Sequence, residues 1–195
     1  MEERKVPKIR KKIQIRVKET YGIPFSGRMK VKLIWDTEAD QDLCIFYKSK
    51  EGVEGGVFSN EYRNKMSDLG FLDKFPYILH KGDEKEPEEG EVSSEQVNIA
   101  KFDEIDTAYV CIVNYSAALK GSDTSFREYK ARIEVQSEDG SVALQVNADS
   151  SDTGCVFLVC TIQNKDGKNY LTNENTVMSL SDAYYDIPGF KLITK

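Results

Sequence analysis

The sequence predicts an all-β fold, an antiparallel two-sheet β-sandwich with one minor short helix, and three observations carry that expectation. The first is a hydrophobic period of 2. Ile13, Ile15 and Val17 alternate with Lys12, Gln14, Arg16 and Lys18, Ala131, Ile133 and Val135 alternate with Arg132, Glu134 and Gln136, and Val142, Leu144 and Val146 continue the pattern. Such alternation marks strands with one face on a core and the other in water. The second is a set of short, continuous apolar runs, KVKLIW, DLCIFY, FPYILH, AYVCIV and CVFLVCTI. They are rich in β-branched and aromatic residues and bounded by Gly, Asp or Asn, as central strands are. The third is turn chemistry: Asp139-Gly140 and Asp166-Gly167 each stand between strand-like runs, where a hairpin needs positive φ. About ten short strands joined by such turns read as a sandwich or barrel.

The helix is expected near Glu61 to Leu69, where Tyr62, Met66 and Leu69 share a face and Gly70 can end it. Gly52, Gly55 and Gly56 lack the helix and acid of a dinucleotide fingerprint and read as a hairpin. A chain of 195 residues suits one domain. We divide it into a basic N-terminal arm with one strand, residues 1–28, and the sandwich domain, residues 29–195.

Charge is unevenly distributed over these parts. The chain carries a formal −6, yet residues 1–32 hold 11 Lys and Arg against 3 Asp and Glu. An acidic body repels phosphates, so nucleic acid is not an expected partner, whereas cations are. Arg4, Lys5, Lys8, Arg10, Lys11 and Lys12 suit either an anionic membrane surface or the protein's own acidic groups. No apolar run approaches a membrane span, and Met1 to Lys18 lack the apolar core of a secretory signal, so a cytoplasmic address is expected. Cys44, Cys111, Cys155 and Cys160 fit that address: they sit in apolar runs without C-x-x-C spacing and read as small buried hydrophobes.

Two acidic stretches carry the candidate chemistry. Asp36, Glu38, Asp40 and Asp42 place an acid at every second position before LCIFY, and Asp83, Glu84, Glu86, Glu88, Glu89, Glu91 and Glu95 crowd the segment from Lys81 to Glu95. Calcium takes roughly six to eight oxygen ligands, which loops dense in carboxylates and carbonyls supply. The other reading of the same residues is a solvated acidic loop. An EF-hand is excluded, because Asp36 to Asp42 lacks the loop glycine and terminal glutamate.

The order of motifs resembles the TerD family of tellurite-resistance proteins. Leu33-Ile34-Trp35-Asp36 is similar to the family's L-x-W-D, Asp42-Leu43-Cys44 to its D-L-D, and His80-Lys81-Gly82-Asp83-Glu84 to its H-S-G-D-N. Ser93-Ser94-Glu95 stands where the family has G-D-D-E, Phe126 precedes YKARIEV as a family phenylalanine precedes n-a-f-I-R-l, and GCVFLVCTIQN follows in order. The likeness spans about residues 29–193. It implies a β-sandwich that binds calcium through Asp42, Asp83 and Glu95, with Glu84 and Glu91 as further oxygen donors. It also implies a non-enzymatic role in tellurite, chemical-stress or phage resistance, with other stress-response proteins as partners. Cys44, Glu84, Ser93 and Ser94 replace family aspartates and an asparagine, and a thiol is a poor partner for a hard ion. Gly189-Phe190-Lys191 likewise departs from an aromatic G-E-W-K-F. The alternative is a metal-free interaction or scaffold sandwich.

Two further features invite enzymatic readings. Asp152-Thr153-Gly154 spells the aspartic-protease triplet but follows Asp149-Ser150-Ser151, so it reads as a turn. His80, the single histidine, reads as a structural residue at a strand end.

Overall fold

The computed structural model describes residues 10–59, 68–82, 92–121 and 124–194. Its strands are β1 (Lys11–Gln14), β2 (Thr20–Gly22), β3 (Met29–Trp35), β4 (Asp42–Ser49), β5 (Glu54–Val57), β6 (Gly70–Phe71), β7 (Ile78–His80) and β8 (Ser93–Ile99). They continue as β9 (Ile105–Val113), β10 (Thr124–Ser125), β11 (Ala131–Ser137), β12 (Val142–Ala148), β13 (Thr153–Gly154), β14 (Val156–Lys165) and β15 (Lys168–Met178). Two sheets form the sandwich: β1-β12-β11-β3-β8-β7-β6, here the first sheet, and β2-β15-β14-β9-β4-β5, the second. All pairings are antiparallel except that of β1 with β12. Val31 and Leu33 of β3, Val97 of β8, Ile133 and Val135 of β11 meet Leu43, Ile45, Val110 and Ile162 of the second sheet in the main core.

The alternating runs form strands as read. Asp166 and Gly167 take φ of 51° and 74° in a two-residue turn between Lys165 and Lys168, the geometry that matches strand twist. KVKLIW is central as read, lying between β11 and β8, and it alternates buried and half-buried, with Lys30 and Lys32 on the outward side. FPYILH yields strand only from Ile78, because Pro76 has no N–H and Tyr77 turns at φ 59°.

DLCIFY, AYVCIV and CVFLVCTI are continuously apolar because the second sheet is covered on both sides. Its outer side carries α2 (Leu180–Asp186) and a 3-10 turn over Phe190–Ile193, with Ala183, Ile187 and Phe190 packed on Phe46, Phe58, Cys111 and Val156. Phe190 and Phe46 stand 5.1 Å apart. α1 (Tyr115–Lys120) leads from β9, capped by the Asn114 side chain at Ala117 N and ended by Gly121. The expected helix at Glu61 to Leu69 lies almost wholly outside the described residues.

Residues 1–28, read as an arm with one strand, supply two from their described part, 10–28. β1 adds to the first sheet beside β12 and β2 to the second beside β15, so the chain between them closes one side of the sandwich. Asn173 holds that crossing, donating from Nδ2 to the Ile15 carbonyl and exchanging backbone bonds with Lys18 and Glu19. No helix among the described residues is long and apolar enough to cross a membrane.

Candidate functional site at the acidic end of the sandwich

β4 starts at Asp42, but β5 pairs with it only from Ile45 to Lys48. Among the described residues no strand therefore covers that edge of β4 at Leu43, and two side chains of the first sheet cover it instead. Glu95, from β8, accepts the Leu43 N–H on Oε2 at 2.6 Å. His80, from β7, lies with Nε2 3.0 Å from the Leu43 carbonyl. The Gly82 N–H donates to His80 Nδ1 at 3.0 Å, so the proton sits on Nε2 and the ring donates to Leu43. Glu95 Oε2 is 3.6 Å from the same Nε2. Both side chains are almost wholly buried, His80 at 1 % and Glu95 at 5 % exposure. A buried backbone N–H and C=O cannot be left without partners, so this clasp does for Leu43 what another strand would do.

Asp42 reaches the same end from the other side. Alternation along β4 groups Asp42 with Cys44 and Phe46, opposite Leu43 and Ile45. Asp42 is buried, whereas Asp36, Glu38 and Asp40 of the loop before it are exposed. That loop is pinned by Trp35, whose Nε1 donates to the Ala39 carbonyl at 2.8 Å. Gln41, only 1 % exposed, donates to the Asp40 carbonyl, but among the described residues its Oε1 has no partner, and neither has the buried Thr37 Oγ1.

Asp83, Glu84 and Glu91 lie outside the described residues, so of the expected calcium set only Asp42 and Glu95 are placed. Lys81 and Gly82 after β7, and Val92 before β8, flank that acidic segment at the end where Trp35 pairs with Ser93. Ser93 and Ser94 are themselves part of β8, opposite Trp35 and Ile34. Among the described residues, no three His, Cys, Asp or Glu side chains gather as a metal-ligand group.

Cys44 pairs across the strands with Cys111 beneath the C-terminal cap, where both are fully buried. Burial pushes the Cys111 and Cys160 thiols far up, which keeps them protonated and unreactive. Asp152 is exposed in the turn before β13, its N–H bonded to Ser150 Oγ at 3.2 Å. No family model, no curated protein and no solved structure matches this chain.

The clasp is the part that residue reading missed. His80 was readable as structural, and Glu95 as acidic, but their common target is a backbone group 37 and 52 positions away.

Proposed function

We propose that the chain is a non-enzymatic, TerD-like cytoplasmic stress-response module whose acidic end binds calcium weakly and, when loaded, presents a docking surface to other stress-response proteins. The observation that carries this reading is the pair of buried oxygens, Gln41 Oε1 and Thr37 Oγ1, that have no hydrogen-bond partner among the described residues, in the acidic loop that enters β4 at Asp42. An orphaned buried acceptor costs about 1–3 kcal/mol, which a cation relieves and an apolar neighbour does not. The donors present are hard oxygens, which fits calcium. Asp42, Gln41 and Asp83 would hold the ion, with Glu84 and Glu91 as further donors. Calcium would supply positive charge that neutralises and orders the acidic loops.

Glu95 contributes from within the clasp, fixing the start of β4 and hence the backbone from which Asp42 projects. His80 has both ring nitrogens committed to backbone groups, which speaks against a role as a base. The engagement of Glu95 Oε2 by Leu43 favours one second reading, a metal-free interaction sandwich in which the acidic end docks partners directly.

Calorimetric titration with calcium separates the two. Heat at micromolar to low-millimolar calcium, lost in Asp42→Asn with Asp83→Asn, supports the calcium-bound module. No heat at millimolar calcium, from a chain with a folded β spectrum, leaves the metal-free sandwich.

A further inference from the structure

Residues 10–22 join the sandwich only along its edges. β1 lies outside β12 at the end of the first sheet, β2 lies outside β15 at the end of the second, and residues 15–19 cross between them. Both strands are short, four residues and three, and β1 pairs in parallel, the less stable arrangement per residue. Within the segment Ile15 alone is buried, Ile13 and Tyr21 are half-buried, and the rest are exposed. Hydrophobic stabilisation follows the apolar area removed from water, so little of it holds these residues in place.

The seat beneath them is imperfectly matched in polar groups. Asn173 is buried and donates from Nδ2 to the Ile15 carbonyl, but its Oδ1 has no partner among the described residues. Gln145 stands opposite Gln14 and its carbonyl accepts the Ile15 N–H, yet its side-chain Oε1 is buried without a partner in the same way. An orphaned buried acceptor is penalised while covered and regains water once the cover lifts. The crossing also stores strain, because Lys18 is held at φ 61°, a left-handed conformation that a non-glycine residue leaves when it is free.

Departure of the segment strands no charge. Lys12 donates to the buried Glu134 at 3.0 Å, but Arg132 and Gln136 donate to the same carboxylate and stay with it. The chain is tethered again from Ile23, whose N–H donates to the Asn169 carbonyl and which packs on the core with Phe25. The break between the loose and the fixed parts therefore falls at Gly22, where the backbone turns most freely.

We infer that residues 10–22 are a releasable strap, which detaches from both sheets as one unit while β3 to β15 stay folded. The two strands leave together because neither is long enough to hold alone, and because one residue fastens the crossing that joins them. Asn173 bonds Ile15 through its side chain, Lys18 through its carbonyl and Glu19 through its N–H. The remainder keeps its centre, since β3 still lies between β11 and β8, and β9 between β14 and β4. Release uncovers the outer edges of β12 and β15 on the same side of the molecule, so the strap decides whether those edges are closed or open.

Native-state amide exchange of the full chain, followed by NMR at low denaturant, tests this. The reporters are the amides of Lys11 and Ile15, bonded to β12 and the turn before it, and those of Lys18 and Asn173, bonded across the β15 side. All four are expected to share one opening equilibrium, with little denaturant dependence and populated more than about 100-fold above the opening that frees β3. Ile15→Ala is expected to raise that opening at all four by one common factor, at least about 30-fold. Val97→Ala, in the centre of the first sheet, is expected to speed exchange in β3 and β8 about tenfold or more and to leave the four strap amides unchanged. Strap amides as protected as those of β3 overturn the inference, as does Val97→Ala speeding both sets alike. A response to Ile15→Ala confined to Lys11 and Ile15 also overturns it, because the strands then fray separately.

Discussion

Replacing Glu95 with alanine removes the acceptor from the Leu43 N–H while leaving that donor inside the sandwich. The bond is short, 2.6 Å, its acceptor is a carboxylate, and both residues are buried. Bonds to charged groups contribute about 1.5–3 kcal/mol, and an abandoned buried donor costs about 1–3 kcal/mol. These two figures overlap, because both describe the same N–H, so the expected destabilisation is about 2–4 kcal/mol. For a chain of this size that lowers the melting temperature by about 5–15 °C. Glu95→Gln keeps one oxygen able to accept from Leu43 and is expected to cost only about 1 kcal/mol. Equilibrium urea unfolding of the native chain and both variants, without calcium, reads these values directly. A cost below about 0.5 kcal/mol for the alanine variant would refute the argument, since water would then be reaching Leu43 and the clasp would not seal the edge of β4.

Two other perturbations follow from the geometry. Asp139 accepts from Ser141 N, Ser141 Oγ and Ser137 Oγ, bonds that hold its carboxyl at about 2 against an ordinary 3.8. The folded value lies below the unfolded one, so the turn is stabilised above about pH 4 and loses that support as pH falls through about 2. An NMR titration of the Asp139 carboxyl measures the midpoint, and Ser137→Ala with Ser141→Ala is expected to raise it. Gly189 turns at φ 85°, and a Cβ there would meet the Gly55 carbonyl at 2.2 Å. Gly189→Ala is therefore expected to cost at least about 2 kcal/mol and to loosen the C-terminal cap. Cys44 and Cys111 beneath it should then react with a thiol reagent that leaves the native protein untouched.

Much of the fold is legible locally. The alternation in 131–136 and 142–146 becomes β11 and β12, and Asp166-Gly167 becomes the predicted two-residue turn. α1 and α2 were not expected, although each begins at a capping side chain, Asn114 bonded to Ala117 N and Ser179 bonded to Asp182 N. Both capping signals were masked by the apolar runs beside them. The acidic stretches identify an end of the molecule, since Asp36 to Asp42 and the flanks of residues 83–91 do meet there. The clustering of Lys12, Lys32 and Arg132 around Glu134 was hidden because these residues belong to three strands, and no sequence window contains them all together.

By itself, then, the sequence determined which residues extend, where they turn and which side of each strand is apolar. Those properties follow from backbone sterics and a side-chain period of 2, which act over a few residues. Only the tertiary structure decided that Glu95 and His80 serve Leu43, that Phe190 closes the outer side of the second sheet, and that Lys12 and Arg132 converge on the buried Glu134. Each depends on which strands become neighbours and in what register, a choice made by burial of the whole core.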